Sequence, residues 1–210
     1  MKQYDVVALG ELLIDFTENG TSGQGNPLFE ANPGGAPCNV LAMLSKLGCK
    51  TAFIGKVGND FFGEQLKCAV TEVGINADGL LMDEEVHTTL ALVHTYPDGD
   101  RDFSFYRNPG ADMMLRETEL RTDLLQGTKL FHFGTLSMTD LEVRNATKKA
   151  IETAKENGAV ISFDPNRIVS VEAYDDVATE SGNLVVAEQI KSVLSENNPL
   201  ANKSTVFWKT

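Results

Sequence analysis

The sequence predicts an α/β fold: a mostly parallel sheet layered between helices, with a small β appendage. Three observations carry this. Strand-like and helix-like segments alternate over the first 74 residues. A second strand–helix–strand unit spans residues 129–163 and implies a right-handed parallel crossover. Between them, residues 87–107 alternate apolar and polar side chains about a turn, the pattern of a hairpin and not of another crossover.

Tyr4 to Leu9 reads as a short buried strand. Gly10-Glu11 interrupts it, and Leu12-Leu13-Ile14 resumes the apolar run as far as Asp15. A carboxylate directly after such a run is expected at a strand's carboxyl end, where α/β sheets hold ligands. Residues 19–27 (NGTSGQGNP) read as a polar glycine-rich loop, and its GQG does not complete a dinucleotide fingerprint because position 28 is Leu. Pro33-Gly34-Gly35 then leads into a helix whose apolar positions Val40, Leu41, Met43, Leu44 and Leu47 repeat with helical period and whose end is marked by Gly48. The free N–H groups of that helix start face whatever lies over the two glycines, and Asn39 belongs to the first turn. A plain loop-to-helix turn is the competing reading of the same residues.

Lys50 to Val57 is the next strand, and Asp60 can cap a helix over 61–73 that Gly74 closes. The hairpin follows, with Pro97-Asp98-Gly99-Asp100 as its turn; Arg107 and Asn108 leave it where a flap would meet the main sheet. Lys129 to Phe133 is a strand. Thr139 and Glu142 have capping-box spacing, and Val143, Ala146, Thr147, Ala150, Ile151 and Ala154 line one face of the helix they open. Ala159 to Phe163 is the last clear strand, with Asp164-Pro165-Asn166 at its carboxyl end. Beyond it, residues 184–196 can form one amphipathic helix.

Composition limits the function. The 210 residues are 42% hydrophobic and 23% charged, ordinary for a folded domain, and the net charge is −12. So acidic a surface repels phosphodiester backbones and anionic lipid, so neither nucleic acid nor membrane is an expected partner. Cys38, Cys49 and Cys68 form no CxxC pair and their number is odd, which fits a reducing compartment better than a disulfide framework or a zinc site. His87, His94 and His132 lack metalloprotease spacing and receive no chemistry. No apolar run approaches the roughly 18 residues of a bilayer span. A cytoplasmic protein without a metal site of its own is the expectation.

In order, VVALGELLIDF, NPGGAPCNVLAMLSKLG, IGKVGNDFFGEQL, FYRNPGADMML, FHFGTLS and ISFDPN resemble the PfkB/ribokinase family of sugar kinases, and within it the fructokinases. The resemblance covers residues 4–166. It implies a ribokinase-like three-layer sandwich with a small β lid built from segments near 12–33 and 87–107, residues 1–166 being the N-terminal part of that domain. It implies ATP and Mg2+ as cofactors, fructose or a related ketose such as 2-keto-3-deoxygluconate as substrate, and pairing of two lids as a route to a homodimer. Residue by residue, Asp15 matches the carboxylate that accepts from adjacent sugar hydroxyls. Gly34, Gly35 and Asn39 match the block lining the sugar pocket. Arg107 and Asn108 match residues offered from the lid side, and Asn166 matches the asparagine near the nucleotide phosphates and metal.

The match stops within a residue or two of Asn166. The family's proton acceptor is an aspartate in a Gly-Ala-Gly-Asp motif, and residues 167–210 hold none. Gly99-Asp100 and Gly110-Ala111-Asp112 stand elsewhere in the order, and Ser181-Gly182-Asn183 has no carboxylate. No catalytic residue is therefore assigned. The expectation is a C-terminally incomplete domain (a truncated, frameshifted or differently spliced product) with a divergent tail over 167–210. Such a chain has two outcomes: a kinase by descent, or a sugar-binding or dimerising fragment without turnover. A parallel sheet that ends early is also expected to leave an edge unpaired.

Overall fold

Strand β1 (Tyr4–Leu9) sends Val7 and Leu9 to one side of a sheet and Val6 and Ala8 to the other, and all four are fully buried. A strand buried on both faces belongs in the middle of a layered α/β sheet. A computed structural model, describing residues 2–96, 101–164 and 184–186, puts it there. Six strands run in the order β10-β9-β8-β1-β4-β5, namely Leu184–Val186, Val160–Asp164, Thr128–Gly134, Tyr4–Leu9, Thr51–Gly58 and Asn76–Asp83. Every adjacent pair is parallel. Helices α1 (Ala36–Lys46) and α2 (Phe61–Glu72) belong to one face, whose core gathers Leu41, Phe53, Leu66 and Leu130. Helices α3 (Thr122–Gln126) and α4 (Leu141–Glu156) cover the other, over Ile54, Phe131, Phe133 and Phe163. The three-layer expectation holds.

The apolar stripe read for α4 is the stripe it buries: Val143, Ala146, Thr147, Ala150, Ile151 and Ala154 all lie inward. Its cap is shifted by one residue from the expectation. Asp140, not Thr139, is the N-cap and accepts from the Glu142 N–H. The Thr139 hydroxyl is engaged elsewhere, donating to the Leu136 carbonyl and accepting from Arg107. Strand β5 escaped the sequence reading, because NADGLLMD lacks alternation and carries a glycine and three polar residues.

The tail expectation is corrected where it can be compared. Residues 184–186 are strand, not the start of a helix, and pair in parallel with β9 (Leu184 opposite Ile161, Val186 opposite Phe163). A Leu-Val-Val run beside an open strand edge gains ladder hydrogen bonds that an isolated helix start lacks. The outer edge of β9 is thereby paired. Positions 187–196 of the expected helix, and Asn166, lie outside the described residues.

A second sheet of four strands, β3-β2-β6-β7, stands apart from the first. Strands β2 (Leu13–Thr21) and β3 (Pro27–Gly34) form one antiparallel pair, and β6 (Leu90–Thr95) and β7 (Arg101–Tyr106) the other; β2 and β6 join them in parallel. This is the β lid, close to the two segments expected. Residues 19–21 extend β2 and Pro27 opens β3, so the predicted loop shrinks to a short turn, with Gly20 and Gly25 at positive φ (78° and 85°). The root of the lid is packed on the main body, with Phe16 edge-to-face on Phe62 of α2 at 5.5 Å between ring centroids. Among the described residues no helix is long and apolar enough to cross a membrane.

Candidate functional site

The chain leaves β1 at Gly10 and enters the lid at Leu13, and the turn between them is locked against the start of α1. A β-carbon on Gly10 would come within 2.6 Å of the Pro37 ring. Gly35 sits at φ 119°, and a side chain there would strike the Glu11 carbonyl oxygen. This position needs glycine twice over, for its backbone and for its space. Pro37, just inside α1, has a fixed φ suited to the first turn of a helix.

Asp15 was expected at the carboxyl end of a strand. It lies instead as the third residue of β2, opposite Asn32 of β3. The reason is that the apolar run resuming at Leu12 is not the end of β1 but the beginning of a nine-residue lid strand. From there the side chain leans diagonally across the pair, so that a β-carbon on Gly34 would stand 2.8 Å from the carboxyl carbon. Asp15, Gly34 and Gly35 thus come together at the start of α1, with Asn39 one turn on and half-buried.

Gly35 supplies no side-chain cap, and the first turn of α1 holds no acid. The cap comes from a distance: the Glu11 carboxylate accepts the Ala36 N–H through Oε1 at 2.9 Å. Glu11 is only 3% exposed, and its Oε2 is buried without a hydrogen-bond partner in the described structure. Burial pushes its pKa up to about 7; Ala36 and Arg107 pull the other way, while Asp112 adds to the rise.

Arg107 was read as a cation offered to the sugar or its incoming phosphate. The structure commits it to protein. Its Nε donates to Asp112 Oδ2 at 2.8 Å, Nη1 to Thr139 Oγ1 at 3.0 Å and Nη2 to the Leu136 carbonyl at 3.1 Å, and its side chain is 10% exposed. Asp112 takes the Thr89 hydroxyl on its other oxygen at 2.5 Å. Thr89 leads into β6 and Arg107 follows β7, so this buried cluster cross-ties the two ends of the β6–β7 hairpin and bolts them to the segment after β8. Thr88 reinforces the hinge, donating its N–H and hydroxyl to Asp60. Burial would raise the Asp60 pKa, but the bonds from Thr88 and Gly63 outweigh it and leave the carboxyl below its ordinary value. Asn108 is exposed beside a cis bond to Pro109 and stands apart from the glycine pair in sequence and burial.

Several site-shaping residues were missed or read only locally. Glu11, Asp112 and Thr89 were not singled out, and Asp60 was read only as a helix cap. One signal was available: Glu11 sits inside VVALGELLID, and a carboxylate in an apolar run must find a partner or lose its charge. Lys56 is similar. It is buried in β4 and bridges Asp83 at 3.3 Å and Glu119 at 2.8 Å, pinning the residues after the lid to the sheet.

A family model described as pfkB family carbohydrate kinase matches residues 3–181. The chain is 46% identical to "Probable fructokinase-3" of Arabidopsis thaliana over 163 residues, which are 77% of this chain and 47% of that protein. It therefore spans about half the length of the curated relatives it matches. Among solved structures, the fructokinase of Xylella fastidiosa superposes with a TM-score of 0.75 at 29% identity, covering 92% of this chain and 58% of that one. The fructokinase with bound ATP from the same organism does so with a TM-score of 0.72 at 33% identity, covering 78% and 52%.

Proposed function

The chain belongs to the pfkB family of carbohydrate kinases, and from that premise we propose that it serves cytoplasmic, ATP-dependent phosphorylation of a sugar hydroxyl, fructose or a related ketose being the sugar. The observation that carries this is the Asp15 carboxylate standing over Gly34 at the start of α1, with the lid sheet rising from the same turn. An ionised carboxylate accepts two hydroxyls at once, and no other common side chain fits vicinal hydroxyls as well. The glycine pair lets a ring approach the backbone N–H groups, and Asn39 adds a donor and an acceptor within the same turn. Asn108 is the lid-side contact in this reading, and Arg107 acts by holding the lid hinges.

The phosphate side rests on family membership and on the ATP-bound relatives in fold. Among the described residues no group of three or more histidines, cysteines or carboxylates gathers to hold a metal ion. Asn166, the position matching the nucleotide and Mg2+ side, lies outside them.

A second reading concerns these 210 residues by themselves, sugar binding without turnover: the Gly-Ala-Gly-Asp segment that takes the hydroxyl proton and holds the transferring charge is not among them. Two measurements separate the readings. Calorimetry of the purified chain with fructose alone tests the pocket, and silence at millimolar sugar defeats both. A coupled assay of ADP release with fructose and Mg-ATP tests turnover, and a rate above background defeats the second.

Lid-to-lid pairing is the proposed route to a homodimer. The lid exposes Leu28 and Phe29 on β3 and the stacked Phe103 and Phe105 on β7, each 40–47% accessible. These side chains stand on the two outer strands, β3 and β7, and apolar groups exposed at sheet edges favour association. Light scattering with and without a Phe103→Ser, Phe105→Ser change tests it; an unchanged mass rules it out.

A further inference from the structure

We propose that Glu11 is a positioning residue of the sugar cradle, clamping the start of α1 beneath Asp15 and coupling the grip on the sugar to the lid hinge through the charges of Asp112 and Arg107. The proposal deepens the sugar-pocket reading and rests on it for its affinity arm. Three facts of geometry support it. The carboxyl of Glu11 crosses 25 residues of chain to accept the Ala36 N–H, the donor next to Gly35. Its carbonyl oxygen occupies the space that a side chain on Gly35 would need. Its second carboxyl oxygen is buried with no hydrogen-bond partner.

The charged and titratable groups acting on Glu11 come from three elements. Asp112 stands in the segment after the lid, Arg107 at the lid's exit, and the Cys38 thiol on α1. Asp15 stands over the neighbouring glycine from β2. Cys38 is held protonated by burial, its pKa pushed up to about 12, and adds no charge. Arg107 gives both Nε and Nη2 to Asp112, while Glu11 Oε2 is left without a hydrogen-bond partner. With Glu11 ionised, like charges oppose each other across the boundary between cradle and hinge, in a buried setting where repulsion is weakly screened. With Glu11 neutral, the Arg107–Asp112 pair balances itself and the Ala36 N–H keeps its acceptor. The pKa of about 7 puts this change within the ordinary working range. Drawing the lid onto the cradle around a sugar then favours the neutral form, so affinity falls as the pH rises.

The test is calorimetric titration of fructose into the full chain, at about pH 6 and about pH 8, for wild type, Glu11→Gln and Glu11→Ala. Glu11→Gln keeps an acceptor for Ala36 and removes the charge. It is expected to bind at both pH values as wild type does at the lower, while wild type weakens several-fold at the higher. Glu11→Ala is expected to bind about tenfold more weakly at both. Wild-type pH dependence in Glu11→Gln overturns the proposal, as does wild-type affinity in Glu11→Ala; if Glu11→Ala does not fold, Glu11→Gln decides alone. If wild type binds no sugar at either pH, the pocket reading has failed. The clamp is then judged without sugar, by amide hydrogen exchange at Ala36 corrected for its intrinsic pH dependence. Protection that rises with pH in wild type and stays level in Glu11→Gln supports the clamp, since the Ala36 bond favours the ionised carboxyl. Identical protection in both overturns it.

Discussion

The Asp15 carboxylate fills the space where a β-carbon on Gly34 would stand, so that any side chain at position 34 would displace it. The two residues sit on adjacent strands of the lid, β2 and β3, two residues off direct opposition: Asp15 faces Asn32 and Gly34 faces Leu13. Binding chemistry and backbone geometry are therefore a single arrangement, and they can be separated by substitution.

Gly34→Ala removes no polar group and adds one methyl. Because that methyl meets a carboxylate that can swing aside, the fold should lose little, roughly 1 kcal/mol, while fructose affinity falls about as far as in Asp15→Asn, on the order of tenfold or more. Thermal melts and calorimetry on the two variants check this. Full affinity in Gly34→Ala would remove Asp15 from the pocket.

Asp112→Asn leaves Arg107 buried without its counter-charge. Breaking one partner of a buried pair costs about 3–5 kcal/mol, which urea denaturation reads directly. The loss should exceed that of Arg116→Gln, whose bond to Glu142 at 3.0 Å is between exposed side chains that water screens. Equal losses would mean that the hinge cluster is as loose as a surface pair.

Stability should depend on pH through two buried groups of opposite sign. Glu11 has its folded pKa raised from 4.5 to about 7, so its contribution is fully present below about 4.5, is lost as the pH rises towards 7 and is constant above. His132 has its pKa lowered from 6.5 to about 4 by burial, so its contribution is present above 6.5 and is lost as the pH falls to about 4. Each is worth about 3 kcal/mol at full extent. Urea unfolding across that range in Glu11→Gln and in His132→Asn should show each slope vanish separately. A wild-type slope surviving in both variants would refute the assignment.

Phe133 is fully buried, with the Phe163 ring 4.9 Å away and Phe131 stacked at 6.1 Å. Phe133→Ala should cost about 3–5 kcal/mol and leave the glycine cradle untouched, since the two are on different elements. Denaturation and fructose titration of the same variant check both halves of that statement.

Periodicity made α4 legible to the residue on its buried face, because a helix repeats its core contacts every three or four positions and nothing distant alters that spacing. Capping was less legible. Asp60 caps α2 as expected, but Thr139 lost the role to Asp140 because Arg107, more than 30 residues earlier, occupies its hydroxyl. Strand β5 was invisible because its burial is imposed by β4 and α2, not by its own pattern. The site residues divide along the same line: Asp15 and the glycine pair were found by motif, and Glu11, Asp112 and Thr89 were not.

The layered α/β plan, the lid hairpin, the carboxylate beside paired glycines and the family to which they belong are legible from the chain alone, because each is written in local spacing or in motif order. Packing in three dimensions is what puts Asp15 on a lid strand, ties Arg107 into the hinge, pairs residues 184–186 with β9 and makes Glu11 the cap of a helix far along the chain. The reason is physical. A buried charge takes whichever partner the fold brings within hydrogen-bond reach, and an open strand edge takes whichever segment arrives beside it, so neither outcome is encoded in the spacing of neighbouring residues.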